Sequence, residues 1–206
     1  MVNPCREVKV EKVSASKVYI TDQQYHAIRD AALIGKDGRP TPSGVTLQCY
    51  MDLCYLLYQR STEIRLLKKE NIDLFYREIH FKPTKTERTS GASVIVPISE
   101  NILKVILIAL QNSNKDCPYL IHTDENEPYT RTGIGSAFRR AAERANIKGP
   151  TLKAIRAKAI TDAKRAGYET KQLKVAAAHT TESMTEVYIK MRLPERSEVI
   201  LDMPNR

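Results

Sequence analysis

Residues 72–98 depart from the rest of the chain in the period of their apolar side chains. Ile72, Leu74, Tyr76, Glu78 and His80 alternate with other residues in a run of strand formers, and SVIVPI (93–98) follows the polar turn PTKTERTSGA. A period of two belongs to strands, whereas spacings of three and four belong to helices. Elsewhere the apolar residues recur at helical spacing, so the fold class is mainly α with a small antiparallel β-sheet (α+β). Two or three antiparallel strands are expected around that turn.

Start and stop signals divide the helical part. Thr21 and Gln24 form a capping-box pattern for a helix through about Leu33, and the loop GKDGRPTPSG (35–44) follows. The next helix is expected from about Val45 to Gln59, with Leu47, Tyr50, Met51, Cys54 and Tyr58 on its apolar side. A helical turn from Ser61 or Thr62 carries Glu63 and Leu66. Ser99 caps a helix containing Ile102, Leu103, Ile106, Leu107 and Leu110, and YLIH (119–122) reads as a short strand or loop. Thr130 starts a helix to about Ala145. Thr151 caps another to about Arg165, which Gly167 stops, and two short helices are expected near 170–178 and 181–190. Residues 1–16 read as an arm, polar and containing Asn3-Pro4. Residues 191–206, with Pro194 and Pro204, read as another.

The 206 residues, 42% of them apolar, suit one globular domain with such arms. The longest apolar stretch, Ile102–Leu110, is broken by Lys104 and too short for a bilayer. The first residues, MVNPCREVKVEK, carry no apolar run of a signal peptide. The expectation is a soluble, cytoplasmic protein with no membrane partner. Cys5, Cys49, Cys54 and Cys117 show no zinc-knuckle or redox spacing, and reduced thiols are expected, with Cys54 in the core.

Between Arg131 and Lys174 there are twelve basic and three acidic residues, which accounts for the whole net charge of +9. A segment of this kind attracts polyanions and binds them with strong salt dependence. Within it, the helix from Thr151 buries Ile155, Ala159 and Ala163 at ideal pitch and sets Lys153 and Arg156 three residues apart at the edge of that stripe. A cation so placed is held and can still meet an anion.

Five segments then occur in a telling order. They are QRSTEIRLLKKENIDL (59–74), PTKTERT (83–89), YTRTGIGSAF (129–138), LKAIR (152–156) and AAAHTTESMTEVY (176–188). In that order they resemble the catalytic domain of the tyrosine recombinase family, the phage-integrase type of site-specific recombinase. The resemblance runs from about Lys17 to Lys190. It implies an active-site arginine at Arg60 with a supporting acid at Glu63, a catalytic lysine at Lys85, the Lys153 and Arg156 pair, His179, and the nucleophile Tyr188. It also implies that Arg131 opens a helix laid into the DNA major groove, with Arg139 and Arg140 as further DNA contacts. Two departures stand out. Lys153 occupies a position more often filled by His. Ala177-Ala178 stands where the family has Leu-Gly, a change expected to alter how closely the helix approaches its neighbours.

The implied reaction is attack by the Tyr188 hydroxyl on a DNA phosphodiester, giving a 3′-phosphotyrosyl link and a free 5′-hydroxyl. Arg60 and Arg156 would hold the phosphoryl oxygens in the transition state. Lys85 would protonate the leaving oxygen, Lys153 would accept the Tyr188 proton, and His179 would bond a non-bridging oxygen. No metal and no cofactor are implied. The implied partner is double-stranded DNA, with a homotetramer on DNA and a monomer when free. The implied organisation is a linker over 1–16, the catalytic domain over 17–190, and a tail over 191–206 exchanged between protomers, the chain being the C-terminal half of a longer protein. Two other readings stand beside this one: a catalytically inactive DNA-binding module of the same fold, and a DNA-relaxing enzyme of the type IB topoisomerase kind.

Overall fold

In the computed structural model, residues 18–82, 93–178 and 181–190 are described, the last four of these by backbone alone. Helix α1 (Asp22–Ala31) starts where the capping box forms. The Thr21 hydroxyl accepts from the Gln24 backbone N–H, and the Gln24 side chain accepts from that of Thr21. Helix α2 (Gly44–Leu56) is apolar on nearly every side, with Leu47, Cys49, Tyr50, Met51, Leu53 and Cys54 buried. A helix of that composition belongs inside the domain. Its first residue has to be small, because a Cβ on Gly44 would lie 2.9 Å from the Ala32 carbonyl oxygen.

After the short α3 (Ser61–Arg65) and a 3₁₀ turn (Lys69–Asn71) come β1 (Ile72–Asp73), β2 (Glu78–Phe81) and β3 (Val94–Pro97). They form one antiparallel sheet in the order β1-β2-β3, with Ile72 opposite Ile79 and His80 opposite Ile95. The alternating run of 72–80 is not one strand. Asp73 Oδ1 accepts from the backbone N–H groups of Phe75 and Tyr76, and Arg77 takes φ 55, so a tight turn cuts the run. Ile79 and Phe81 then point inward, while Leu74, Tyr76 and His80 are exposed.

Four longer elements and one short one complete the domain: α4 (Glu100–Gln111), α5 (Arg131–Arg144), α6 (Leu152–Arg165), α7 (Thr170–Ala176) and α8 (Glu182–Lys190). Ser99 and Thr130 cap α4 and α5 through side-chain oxygens, as their positions in the sequence suggest. Thr151 occupies the same position before α6 but makes no side-chain capping bond. Helix α2 packs against α4 and α6, α1 against α5, and α8 against α6 and α7. The architecture is mainly helical with a small three-stranded antiparallel sheet, as the two apolar periods require. Cys49, Cys54 and Cys117 are free and buried. No described helix is long and apolar enough to cross a membrane.

Helix α6 departs from expectation. Residues 154 to 161 are all buried, not only the stripe of Ile155, Ala159 and Ala163. Arg156, expected at the edge of that stripe, is only 5% exposed, and Lys158 is buried as well. Because α2, α7 and α8 each pack against this helix, it has little outer face left.

Candidate functional site

Three of the six side chains expected to act on phosphate, Arg60, Lys153 and Arg156, are among the described residues. Lys85 and His179 lie outside them, and Tyr188 is placed only as a backbone position in α8.

Arg60 takes the N-cap position of α3, with φ −66 and ψ 150. The chain reaches it through a sharp reversal, since Tyr58 has φ 57. The reversal is held from both sides. The Tyr50 hydroxyl donates to the Ser61 carbonyl at 2.7 Å. The completely buried Gln59 donates through Nε2 to the carbonyls of Leu57 at 3.1 Å and Ala176 at 2.7 Å. Glu63 is buried one turn after Arg60. The Nη1 of Arg60 is buried and has no hydrogen-bond partner among the described residues. A buried donor without an acceptor costs about 1–3 kcal/mol, more when charged, so an acceptor supplied from outside would be bound favourably.

Arg156 is held by the neighbouring carbonyl of the same helix end, its Nη2 donating to Ala177 O at 2.5 Å. The last turn of α7 therefore receives Gln59 on the Ala176 carbonyl and Arg156 on the Ala177 carbonyl, which brings the start of α3 and the middle of α6 to one place. Ala178 follows with φ 47, in the left-handed region. A glycine would adopt that conformation without strain, so the departure at this position also bears on backbone handedness.

Lys153 is exposed on the first turn of α6 and borders an open groove of about 360 Å³. Ser61, Arg131, Gly135, Arg139 and Thr151 also line it. The starts of α3, α5 and α6 thus meet at one groove carrying three cationic side chains. Arg140 is exposed on α5 but does not line it. Arg65 fixes the approach to α5, its Nη1 donating to the Tyr129 carbonyl at 2.8 Å, just before the Thr130 cap. Sequence reasoning missed Gln59 and Arg65. The one available signal was a polar residue on each flank of the Ser61–Ile64 turn, next to apolar neighbours. Among the described residues, no group of three or more His, Cys, Asp or Glu is arranged to hold a metal ion.

Not all of the basic segment faces solvent. Arg156 and Lys158 are internal, and Arg144 donates to the Ala31 carbonyl at 2.8 Å. The cations left at the surface near the groove are Arg131, Arg139, Arg140 and Lys153.

Known proteins share this arrangement of elements. A curated protein of Sinorhizobium fredii (strain NBRC 101917 / NGR234), y4gC, described as a candidate integrase/recombinase, is 25% identical over 187 residues, 84% of this chain and 91% of that protein. Among solved structures, XerA recombinase superposes with a TM-score of 0.67 at 19% identity, covering 84% of this chain and 60% of the other. A lambda integrase tetramer bound to a Holliday junction gives 0.70 at 15% identity, covering 94% and 54%. The Tn1549 transposon integrase (residues 82–397) in complex with circular intermediate DNA gives 0.65 at 18% identity, covering 87% and 62%. The chain thus spans between half and two thirds of these solved chains, and at such identities they establish the fold, that of a tyrosine recombinase catalytic domain. The profile of the Phage integrase family matches residues 19–193, the greater part of the sequence, and the chain belongs to that family.

Proposed function

We propose that this chain cleaves and rejoins double-stranded DNA at a specific site through a covalent link to Tyr188. The observation that carries the reading is the groove where the starts of α3, α5 and α6 converge. It carries exposed cations and is lined by Ser61, the residue directly after Arg60, whose buried Nη1 lacks an acceptor among the described residues.

The steps follow from the chemistry of a phosphodiester. The Tyr188 oxygen attacks phosphorus, and the bond from phosphorus to the 5′-oxygen breaks. Lys153 takes the phenolic proton and Lys85 gives one to the departing 5′-oxygen. Arg60 and Arg156 spread their planar donors over the equatorial oxygens as negative charge gathers there, a contribution worth about 3 kcal/mol for each donor. His179 bonds a non-bridging oxygen, and Glu63 braces an arginine without reacting. The 3′-phosphotyrosyl ester retains the bond energy, so a second 5′-hydroxyl reverses the step without ATP. Arg131 and Arg139 flank the groove and would track the DNA backbone, with Arg140 further along the same helix.

Assembly belongs to the same reading. Residues 1–16 would serve as a linker and 17–190 as the catalytic domain. The tail 191–206, outside the described residues, would dock on a neighbouring protomer within a tetramer on DNA. The lambda integrase tetramer on a Holliday junction supports this by its fold alone.

The test is a nicked DNA duplex that loses its 5′-hydroxyl strand after cleavage and so traps the intermediate. The wild-type chain should give a protein–DNA adduct, and Tyr188→Phe should give none. An adduct that persists in Tyr188→Phe reassigns the nucleophile. Binding without an adduct favours the inactive module, and plasmid relaxation without strand exchange favours the topoisomerase.

A further inference from the structure

Lys158 lies two residues past Arg156 and is only 2% exposed. Its ammonium donates to Asp162 Oδ2 at 2.7 Å, to Asp22 Oδ1, and at 3.5 Å to the Tyr19 hydroxyl, so all three protons are engaged. It also lies over the rings of Tyr19 and Tyr55, 5.3 and 5.7 Å from their centroids. The acceptors are themselves held. Asp162 receives the Tyr19 hydroxyl at 2.6 Å and the Tyr55 hydroxyl at 3.0 Å, and Arg165 donates to the Tyr19 oxygen at 2.6 Å. One cluster therefore joins three parts of the chain: the segment entering α1, the end of α2, and α6.

Stability alone is a poor reason for this arrangement, because a buried ion pair is often no better than well-packed apolar residues of the same volume. What it supplies is direction. The rest of α6 that faces the core is rich in alanine, with Ala154, Ala157, Ala159 and Ala163 all buried. Small side chains make shallow ridges and leave a helix free to slide or turn against its neighbours. Two residues along a helix correspond to a rotation of about 200°, so the Lys158 cluster grips α6 on the side away from Arg156.

We propose that Lys158 is a positioning residue that fixes the axial and rotational setting of α6, and with it the aim of Arg156 at the transferring phosphate. The proposal rests on the recombinase reading above. Half an ångström of slack in a charged clamp is enough to spoil a transition-state contact while leaving binding intact. Lys158 does not reach the groove, so its loss should leave DNA affinity alone.

The experiment measures DNA affinity, single-turnover adduct formation on the nicked duplex and thermal midpoint for the full chain and three variants. Lys158→Met keeps the stem and removes the charge. Lys158→Met with Asp162→Asn also removes the carboxylate left behind, which restores stability if the single variant loses it. Asp22→Asn loosens only the outer end, since the Asp22 side chain is 83% exposed. The expected result for the double variant is a wild-type thermal midpoint, affinity within about twofold, and adduct formation slowed about tenfold or more. Asp22→Asn should show a smaller slowing in the same direction. A double variant that forms adduct at the wild-type rate overturns the positioning role, as does slowing that merely follows the thermal midpoint across the series. A wild-type chain that binds DNA and forms no adduct overturns the recombinase reading beneath it, a distinct outcome.

Discussion

Replacing Ala178 by glycine should stabilise the protein, and replacing its neighbour Ala177 should do the opposite. Ala178 has φ 47, where a Cβ crowds the backbone, whereas Ala177 closes α7 with φ −83. Holding a non-glycine residue in the left-handed region costs about 1–2 kcal/mol. Glycine relieves that but adds about 0.4–1 kcal/mol of unfolded-state entropy, and the partly buried methyl of Ala178 is lost. The net gain for Ala178→Gly is about 0.5 kcal/mol. Ala177 is completely buried in an ordinary conformation, so Ala177→Gly loses a methyl worth about 0.8 kcal/mol and a further 0.5–1 kcal/mol of backbone entropy. The two variants should therefore differ by about 2 kcal/mol. For a chain of this size that separates their thermal midpoints by about 4–8 °C. Urea denaturation of both, read by circular dichroism with the slopes compared, gives the difference directly. If Ala178→Gly is as destabilising as Ala177→Gly, residue 178 continues the helix and the left-handed turn is wrong.

Other expectations follow from the same geometry. Arg156→Lys loses the bond to the Ala177 carbonyl together with the planar fork, and adduct formation on the nicked duplex should fall about a hundredfold with DNA affinity little changed. Arg131→Ala should weaken DNA binding evenly across sequences and lower the slope of log affinity against log salt by about 1, measured by fluorescence anisotropy from 50 to 200 mM salt. Burial pushes the Cys54 thiol up to about 12, and burial together with the Asp52 carboxylate pushes Cys49 up to about 11. An unfolded thiol ionises near 8.5. The stability these protonated thiols contribute is therefore complete below that value and is lost as pH rises toward 11–12, at up to about 1.4 kcal/mol per pH unit for each thiol. Cys54→Ala should flatten the fall in the urea midpoint between pH 8.5 and 10, and an unchanged slope would place the thiol in a more open setting.

Local signals in the sequence carried most of the fold. The capping box at Thr21, the caps at Ser99 and Thr130, and the change of apolar period near 72 each depend on residues a few positions apart, and each is present in the structure. What sequence could not show depends on distant partners. Lys158 is one of twelve basic residues in its segment and reads as surface charge, yet one of its carboxylates lies 136 positions away. Its burial follows from Tyr19, Asp22 and Tyr55 covering that side of α6, which alanine periodicity cannot announce because alanine suits both faces of a helix. The turn at 74–77 was hidden for a different reason. Leu74, Phe75 and Tyr76 are good strand formers, and the break comes from the Asp73 side chain capturing two backbone N–H groups. For the candidate site, the motifs suggested positions, but the groove and the shared helix end required the packing.

That shared helix end lies between the described part of the candidate site and the chain leading to α8. The C-terminal carbonyls of a helix carry partial negative charge, so they suit cationic and amide donors. Here Gln59 and Arg156 take adjacent ones, Ala176 and Ala177. Gln59 precedes Arg60 directly, and Arg156 spends one nitrogen on the bond, so the backbone at Arg60 and the Arg156 guanidinium are both referenced to α7. The left-handed turn at Ala178 then sets the direction in which the chain leaves toward His179 and α8, the helix that carries Tyr188. A shift of the α7 end would move Arg156, the backbone at Arg60 and the departing chain together, and on the proposed reading would preserve their relation to one phosphate. A change at the turn alone would move the departing chain and leave the arginines in place. Ala178→Gly therefore serves two purposes. A gain in stability with slower adduct formation would show that the strained turn sets the approach of the helix carrying the proposed nucleophile, whereas a gain in both would show that the strain only costs stability.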